Sequence, residues 1–401
     1  MIKAGKCYCT HCGESFDVKE VLYHAPDNGV YFSINENHEL RATPYDLKGG
    51  LPQETTWKLA EIVPHKDSGW PKALKLEASW QDQRRTKRMS VRADERICPR
   101  CENNGVITRL PRYMGFYDIY SLFVWGAPAS GKTTLCKAVS ADHTITRINS
   151  LLSDTQITPF QVNVDKTMSL PSSVSTTEEN AFFVVRSNKH NAVVSIIDLA
   201  GELFKMRNED RAFVDKAQRM MSQFCDLALS LHDPRAIAPS KELAKLLESK
   251  EPLSASVLRM RAELLADGGA VPDLINVMVG ADELKDACCR QGDGAIHLDK
   301  DAPGTYLHDA RRKSAYPLLT SSSPLLRQVK SAREIPAHLA LARAFFKRGC
   351  PQVNEAAAVY NVVISNGSPM EEGEKTFDYT KAMNVDLLMA LILNALGLAK
   401  L

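Results

Sequence analysis

Short apolar runs punctuate the chain after residue 117 and separate longer stretches with helical spacing. The runs are Tyr120–Trp125, Phe182–Arg186, Val193–Leu199, Asp226–Leu231, Leu274–Val279 and Val359–Ile364. Runs of this kind, bounded by polar turns, predict six buried strands. The polar stretch Ser187-Asn188-Lys189-His190-Asn191 between the second and third predicts a hairpin turn. Apolar residues at three- and four-residue intervals predict helices at Lys132–Ser140, Leu203–Phe224, Lys241–Ser249, Ala255–Ala266, Ala337–Lys347 and Val385–Leu398. Strands alternating with helices predict an α/β domain over 118–401, with a mostly parallel sheet flanked by helices. Gly292, Gly294, Pro303, Gly304, Pro317 and Pro324 mark a loop-rich insertion around 290–330.

Residues 1–117 read differently. Aromatic and polar residues alternate in short runs between turn signals such as Asp27-Asn28-Gly29, Lys48-Gly49-Gly50 and Asp67-Ser68-Gly69. That pattern predicts a separate β-rich domain. No internal repeat and no low-complexity tract interrupts either part.

Composition narrows the class. The 401 residues suffice for two or three domains, and 44% apolar with 24% charged side chains excludes a disordered or fibrous chain. A net charge of +2 excludes a global basic field that would recruit nucleic acid or a membrane surface. Residues 1–117 hold 18 basic and 15 acidic side chains, a small surplus. The opening MIKAGKCYC lacks an apolar secretory core. The longest greasy stretch, Val385–Leu398, is interrupted by Asp386 and Asn394 and is shorter than the roughly 20 residues a membrane span needs. These features predict a cytoplasmic protein without a membrane span.

Of the ten cysteines, five lie at positions 7, 9, 12, 98 and 101. Cys9-Thr10-His11-Cys12 and Cys98-Pro99-Arg100-Cys101 are two CxxC pairs. Thiolates two residues apart reach adjacent corners of a zinc tetrahedron, and two such pairs close it. Gly13 after the first pair and Asn103-Asn104-Gly105 after the second suit the tight turn of a knuckle. Cys9, Cys12, Cys98 and Cys101 are therefore the candidate ligands of a structural zinc ion, with Cys7 and His11 as spare candidates; free thiols are the alternative. The 85 residues between Cys12 and Cys98 demand a small domain inserted between the knuckles. The basic run Arg84-Arg85-Thr86-Lys87-Arg88 in that insertion is a solvated face or a contact for an acidic partner or nucleic acid.

Gly126-Ala127-Pro128-Ala129-Ser130-Gly131-Lys132-Thr133, followed by Thr134, matches GxxxxGK(S/T) without departure. It sits between a predicted strand and a predicted helix, the context that gives the motif its meaning. Backbone amides of 126–134 and the helix N-terminus suit a polyphosphate. Lys132 reaches the β- and γ-phosphates, and the Thr133 hydroxyl binds Mg²⁺. Asp198-Leu199-Ala200-Gly201 closes a later strand. There Asp198 holds the same Mg²⁺ through water, and the Gly201 amide senses the γ-phosphate.

With a P-loop followed by DxxG, 118–401 resembles the P-loop GTPases of the translation-factor-related superclass, which includes Ras-like proteins. The resemblance implies GTP/GDP and Mg²⁺ as ligands and a molecular switch as the activity. It implies a switch-one threonine about two dozen residues before Asp198; Thr176, with Thr177 second, stands there as a third Mg²⁺ ligand. It places Glu202 where relatives orient the attacking water with glutamine or histidine, a departure that leaves its role open. It places Asp282, after the strand Leu274–Val279, as the carboxylate that reads guanine, with Gly280 in place of the usual lysine of (N/T)KxD. The CxxC pairs ahead of the P-loop also resemble the layout of bacterial double-GTPase proteins of conflict and defence clusters, which implies partner proteins.

Three rivals remain at this level: a P-loop ATPase or kinase, a nucleotide-bound scaffold that never turns over, and a zinc-ribbon module that binds nucleic acid. The near-neutral charge of 1–117 disfavours the last.

Overall fold

The computed structural model describes residues 1–35, 37–126, 131–152, 154–160, 181–188, 191–198, 220, 223–232, 273–279, 358–364, 368–369, 377–378, 382 and 385–400. These fall into two compact units, one built from 1–119 and one from 120–159 with the described residues from 181 onward.

The first unit is all β apart from short turns. β1 (Lys6–Tyr8) and β2 (Ser15–Asp17) form a hairpin. β3 (Leu22–Ala25), β4 (Val30–Ile34), β5 (Leu40–Pro44) and, after a long excursion, β9 (Glu95–Ile97) make an antiparallel sheet in the order β5-β4-β3-β9. The excursion is a second antiparallel sheet of β6 (Thr56–Pro64), β7 (Pro71–Asp82) and β8 (Arg85–Ala93). Period-two alternation sets the inner face of β7: Leu74, Leu76 and Ala78 are buried, while Lys75 and Glu77 are exposed. Leu74 pairs with Ala93 and Leu76 with Val91, and this face shares one core with Tyr23, Val30 and Phe32 of the other sheet.

Two polar devices tie this core. His24, on β3, lies 2.8 Å through Nδ1 from Glu95 and 2.7 Å through Nε2 from the Tyr45 hydroxyl, and Arg109 pairs with the same carboxylate at 2.9 Å. Burial opposes ionisation of Glu95, yet the hydrogen bonds from His24 and Arg109 outweigh it and hold the carboxyl below its ordinary range. Arg96, on β9, is buried; it donates to the Met114 carbonyl at 2.6 Å and lies over the Phe116 ring at 4.4 Å.

In the second unit β10 (Asp118–Gly126) leads to α2 (Lys132–Ser140) and α3 (Asp142–Leu151); α1 (Pro99–Glu102) belongs to the first unit. There follow β11 (Thr155–Phe160), β12 (Ala181–Ser187), β13 (Asn191–Asp198), β14 (Cys225–His232), β15 (Asp273–Met278) and β16 (Ala358–Val363). A two-residue antiparallel pair, β17 (Ser368–Pro369) with β18 (Phe377–Asp378), precedes α4 (Val385–Ala395). The seven long strands form one sheet in the order β11-β12-β13-β10-β14-β15-β16.

The sheet is mixed. β10 with β14, β14 with β15 and β15 with β16 are parallel, whereas β12 and β13 form an antiparallel hairpin from Ala181↔Ile196 to Arg186↔Asn191. The six apolar runs are all strands, and in the central hairpin both faces are covered: every residue from Ala181 to Val185 and from Ala192 to Ile197 is buried. Two elements escape the sequence pattern. β11 carries Pro159, which a strand tolerates at a sheet edge, where β11 lies. α3 is rich in β-branched residues and weak in propensity, and burial of Ile145 and Ile148 one turn apart sustains it.

α4 packs on α2 and α3, and Leu388 through Leu393 are fully buried. A helix apolar on every side is a core helix here. It ends at Ala395, short of Leu398, because the Leu398 amide turns back to the Leu393 carbonyl at 2.8 Å. Arg147 of α3 bonds the buried Asp386 at 3.1 Å, which accounts for the charge inside the greasy stretch. Among the described residues no helix is long and apolar enough to cross a membrane. Of the helix expected at Leu203–Phe224, residues 220, 223 and 224 are described and helical. Those expected at Lys241–Ser249, Ala255–Ala266 and Ala337–Lys347, and the insertion around 290–330, lie outside the described residues.

One turn is critical to the first unit. Gly29 has φ +65, and its carbonyl accepts from Tyr45 N at 3.0 Å; a Cβ there would fall 1.6 Å from the Asp46 carbonyl oxygen. Gly29→Ala should therefore destabilise the first unit by roughly 3 kcal/mol, through both backbone strain and collision. Denaturation followed by the fluorescence of Trp57, Trp70 and Trp80 reads this, and an unchanged midpoint would contradict it.

Candidate functional site

Among the described residues two candidate sites stand out, one in each unit. In the first unit, the β1–β2 hairpin carries one knuckle. Gly13 N bonds the Cys9 carbonyl at 2.8 Å, and Cys9 N bonds the Glu14 carbonyl at 2.9 Å, so residues 9–13 curl tightly. The second knuckle is the start of α1. Cys98 caps this turn, and its Sγ accepts from Cys101 N at 3.4 Å, a geometry that aims both sulfurs to one side. Pairing of Leu22 with Ile97 brings the second knuckle back to the first.

The result is a cluster of four sulfurs from Cys9, Cys12, Cys98 and Cys101, all within 4.8 Å of one another. Cys9 and Cys101 lie 3.6 Å apart, and Cys12 and Cys98 lie 3.7 Å apart. A tetrahedron with metal–sulfur bonds of about 2.3 Å has edges of roughly 3.8 Å. The cluster thus has the donor number, donor type and spacing of a closed tetrahedral metal site. Hydrogen bonds from Cys101, Cys9 and Cys98 hold the Cys12 thiol below its ordinary range, while bonding to Cys101, Cys12 and Cys98 together with burial lifts Cys9. Cys12 is also the least buried of the four. Four coordinating sulfurs would leave no corner for a reactive water, so such a site stabilises and does not catalyse.

Neither spare candidate belongs to the cluster. Cys7 points elsewhere, to the Met114 carbonyl at 3.7 Å, and Arg96 donates to its sulfur at 3.7 Å. Cys7 lies inside β1, paired with Phe16 of β2, whereas Cys9 follows the strand's end, where the chain curls into the knuckle. Arg96 was not legible as a core residue, because a lone arginine gives no periodic signal.

In the second unit, β10 ends at Gly126 and α2 begins at Lys132. Gly131 holds the junction at φ +79, and its carbonyl accepts the first helical bond, from Leu135 N at 2.8 Å. Lys132 is buried, Thr134 is half-buried and Thr133 is exposed. The Thr133 Oγ1 donates to Asp198 Oδ2 at 2.5 Å. Asp198 is the last residue of β13, the neighbour of β10. Gly126 pairs with Leu231 and His232 with Met278, so parallel strands β10, β14 and β15 end at one edge of the sheet. β10 lies between the hairpin strands and the parallel strands, and the mouth outside such a switch point is where open α/β sheets take ligands. The donors gathered there are hard oxygens, of hydroxyl and carboxylate type, suited to a small divalent cation.

Of the residues expected at this site, Gly126, Gly131, Lys132, Thr133, Thr134 and Asp198 are described. Ala127, Pro128, Ala129, Ser130, Thr176, Thr177, Gly201, Glu202, Gly280 and Asp282 lie outside the described residues.

No protein-family model matches this chain, and no curated protein does. Among solved structures it is similar to Era in complex with MgGDPNP and a segment of 16S ribosomal RNA, at 14% identity and TM-score 0.30 over 69% of this chain and 57% of that one. It is similar to a variant of Aquifex aeolicus Era bound to GDP and AlF4⁻, at 15% identity and TM-score 0.30 over 69% and 57% of the two chains. It is also similar to translation elongation factor SelB from Methanococcus maripaludis with the GTP analogue GPPNHP, at 13% identity and TM-score 0.26 over 71% and 35%. The similarity spans little more than half of each Era chain and about a third of SelB.

The sulfur geometry has a direct consequence. Purified protein should carry about one equivalent of tightly bound metal, and Cys98→Ser should lose it together with part of the first unit's stability. Elemental analysis by mass spectrometry checks this; a metal-free parent protein that folds normally would contradict it.

Proposed function

We propose that the second unit is a P-loop GTPase-like domain that binds Mg²⁺–GTP and acts as a molecular switch, and that the first unit is a zinc-ribbon module. The observation that carries the first part is the bond from Thr133 Oγ1 to Asp198 Oδ2 at 2.5 Å. It joins a GxxxxGKT junction to a DxxG strand end at the mouth of the sheet. In this reading the amides of 126–134 and the Lys132 ammonium take the phosphates. Thr133 and Asp198, with Thr176, hold Mg²⁺, which when bound neutralises phosphate charge.

The remaining roles follow from the same motif order. Gly201 offers its amide to the γ-phosphate. Glu202 stands beside it, where a carboxylate would orient water or slow turnover by repulsion. Asp282 accepts from the two N–H donors of guanine, which adenine lacks. Cys9, Cys12, Cys98 and Cys101 hold Zn²⁺, whose closed coordination clamps the ends of the inserted sheets. A CxxC module ahead of such a domain suits a cytoplasmic switch that works beside partner proteins.

Calorimetry with Mg²⁺ and either GTP or ATP tests this reading. GTP should bind at least about tenfold tighter than ATP, and Lys132→Ala should weaken GTP by about 100-fold or more. No uptake of either triphosphate would overturn it. Asp282→Asn should erase the preference for guanine without abolishing triphosphate binding, by unpairing one base contact. An unchanged preference in that variant would remove Asp282 from the base pocket. Multiple-turnover phosphate release, with Lys132→Ala as the blank, separates a hydrolysing switch from a bound scaffold.

A further inference from the structure

Charge in the first unit is not evenly spread. Residues 72–92 hold seven Lys and Arg against two acids, and the remainder of 1–117 holds eleven against thirteen. The whole surplus lies on the β7–β8 hairpin, and its geometry concentrates it further. β6 accompanies β7 only as far as Thr56↔Ser79. Beyond that point β7 and β8 continue as a two-stranded ribbon through Trp80↔Lys87, Gln81↔Thr86 and Asp82↔Arg85. Three such pairs extend roughly 10 Å. A cross-strand bond from Gln81 Nε2 to Thr86 Oγ1 at 2.9 Å stiffens the ribbon.

Strand alternation then distributes the cations. Arg85 and Lys87 lie on one face of the ribbon, Arg88 and Arg92 lie on the other, and Arg84 caps the turn. All are exposed. Lys87 is paired with Asp82 and Arg92 with Asp94. Among the described residues, Arg84, Arg85 and Arg88 have no carboxylate at ion-pair distance. Three guanidinium groups, the side chain best matched to phosphate oxygens, thus project from a rigid support on both its faces.

We propose that this ribbon is a docking element for duplex DNA, inserted in the major groove and held by the phosphates of both strands. Two strands about 4.8 Å apart fit a groove about 12 Å wide, which admits a β-ribbon. A prong charged on both faces meets anions on two sides in a groove, whereas an acidic protein patch would engage one face. The major groove of A-form RNA is too narrow for side chains to enter, so RNA duplex is disfavoured. The site involves neither the cysteine cluster nor the phosphate mouth, and it stands independently of nucleotide binding.

The test uses the full chain and a fluorescein-labelled DNA duplex of about 20 base pairs, with anisotropy read across a salt series. The parent should bind at low salt, with log affinity falling by about 0.9 per phosphate engaged for each unit of log salt. The combined variant Arg84→Ala, Arg85→Ala, Arg88→Ala should bind at least about tenfold more weakly, with the slope reduced by two to three units. Lysine at the same three positions should retain most of the slope, and an unchanged thermal midpoint shows that neither variant disturbs the fold. Absence of duplex binding at low salt, or equal affinity and slope in the alanine variant, would overturn the proposal. So would equal competition by polyglutamate or by RNA duplex, which would assign the ribbon to an acidic protein or to RNA.

Discussion

The hydroxyl of Thr133 and the carboxylate of Asp198 are 65 positions apart in the chain and 2.5 Å apart in space. That contact exists only if β10 and β13 are neighbours, end at the same edge, and deliver their last residues to one mouth. The rest of the second unit serves this condition. The apolar strands pack into one core, and α4, buried among α2 and α3, supports the helix that starts at Lys132. Gly131 supplies the left-handed turn that lets α2 begin where the motif requires it.

The first unit solves a different problem. Its two knuckles are separated by 85 residues, and closing so long a loop costs chain entropy that grows slowly with length. The excursion is not idle chain. β3 to β8 build a core of their own, and β9 returns to pair with β3 one residue before Cys98. The four sulfurs thus meet at the ends of a segment that has its own core. Arg96 adds a further tie at the same place, bonding the Met114 carbonyl and the Cys7 sulfur from the strand that leads to Cys98.

Much of this was legible in the chain, for identifiable reasons. Both CxxC pairs and the strand–GxxxxGKT–helix junction are local signals whose chemistry dictates their spacing. The six apolar strands were readable because short runs dominated by apolar residues, bounded by polar turns, stand out along the chain. What was not legible depends on tertiary context. Thr155–Phe160 alternates weakly and contains a proline, so only its place at the sheet edge makes it a strand. Asp142–Leu151 is helical because Ile145 and Ile148 find a core, against its propensity. The basic run Arg84–Arg88 was readable as a cluster, but its place on a two-stranded ribbon that outruns β6 depends on strand register.

The central claim is that Thr133 and Asp198 form a cation site that acts on a bound triphosphate. The most direct measurement is the affinity for GTP with magnesium and with excess chelator, in the parent chain and in Thr133→Ala. Magnesium should tighten GTP binding by about tenfold or more in the parent and have little effect in the variant. A magnesium effect of equal size in both would contradict the account.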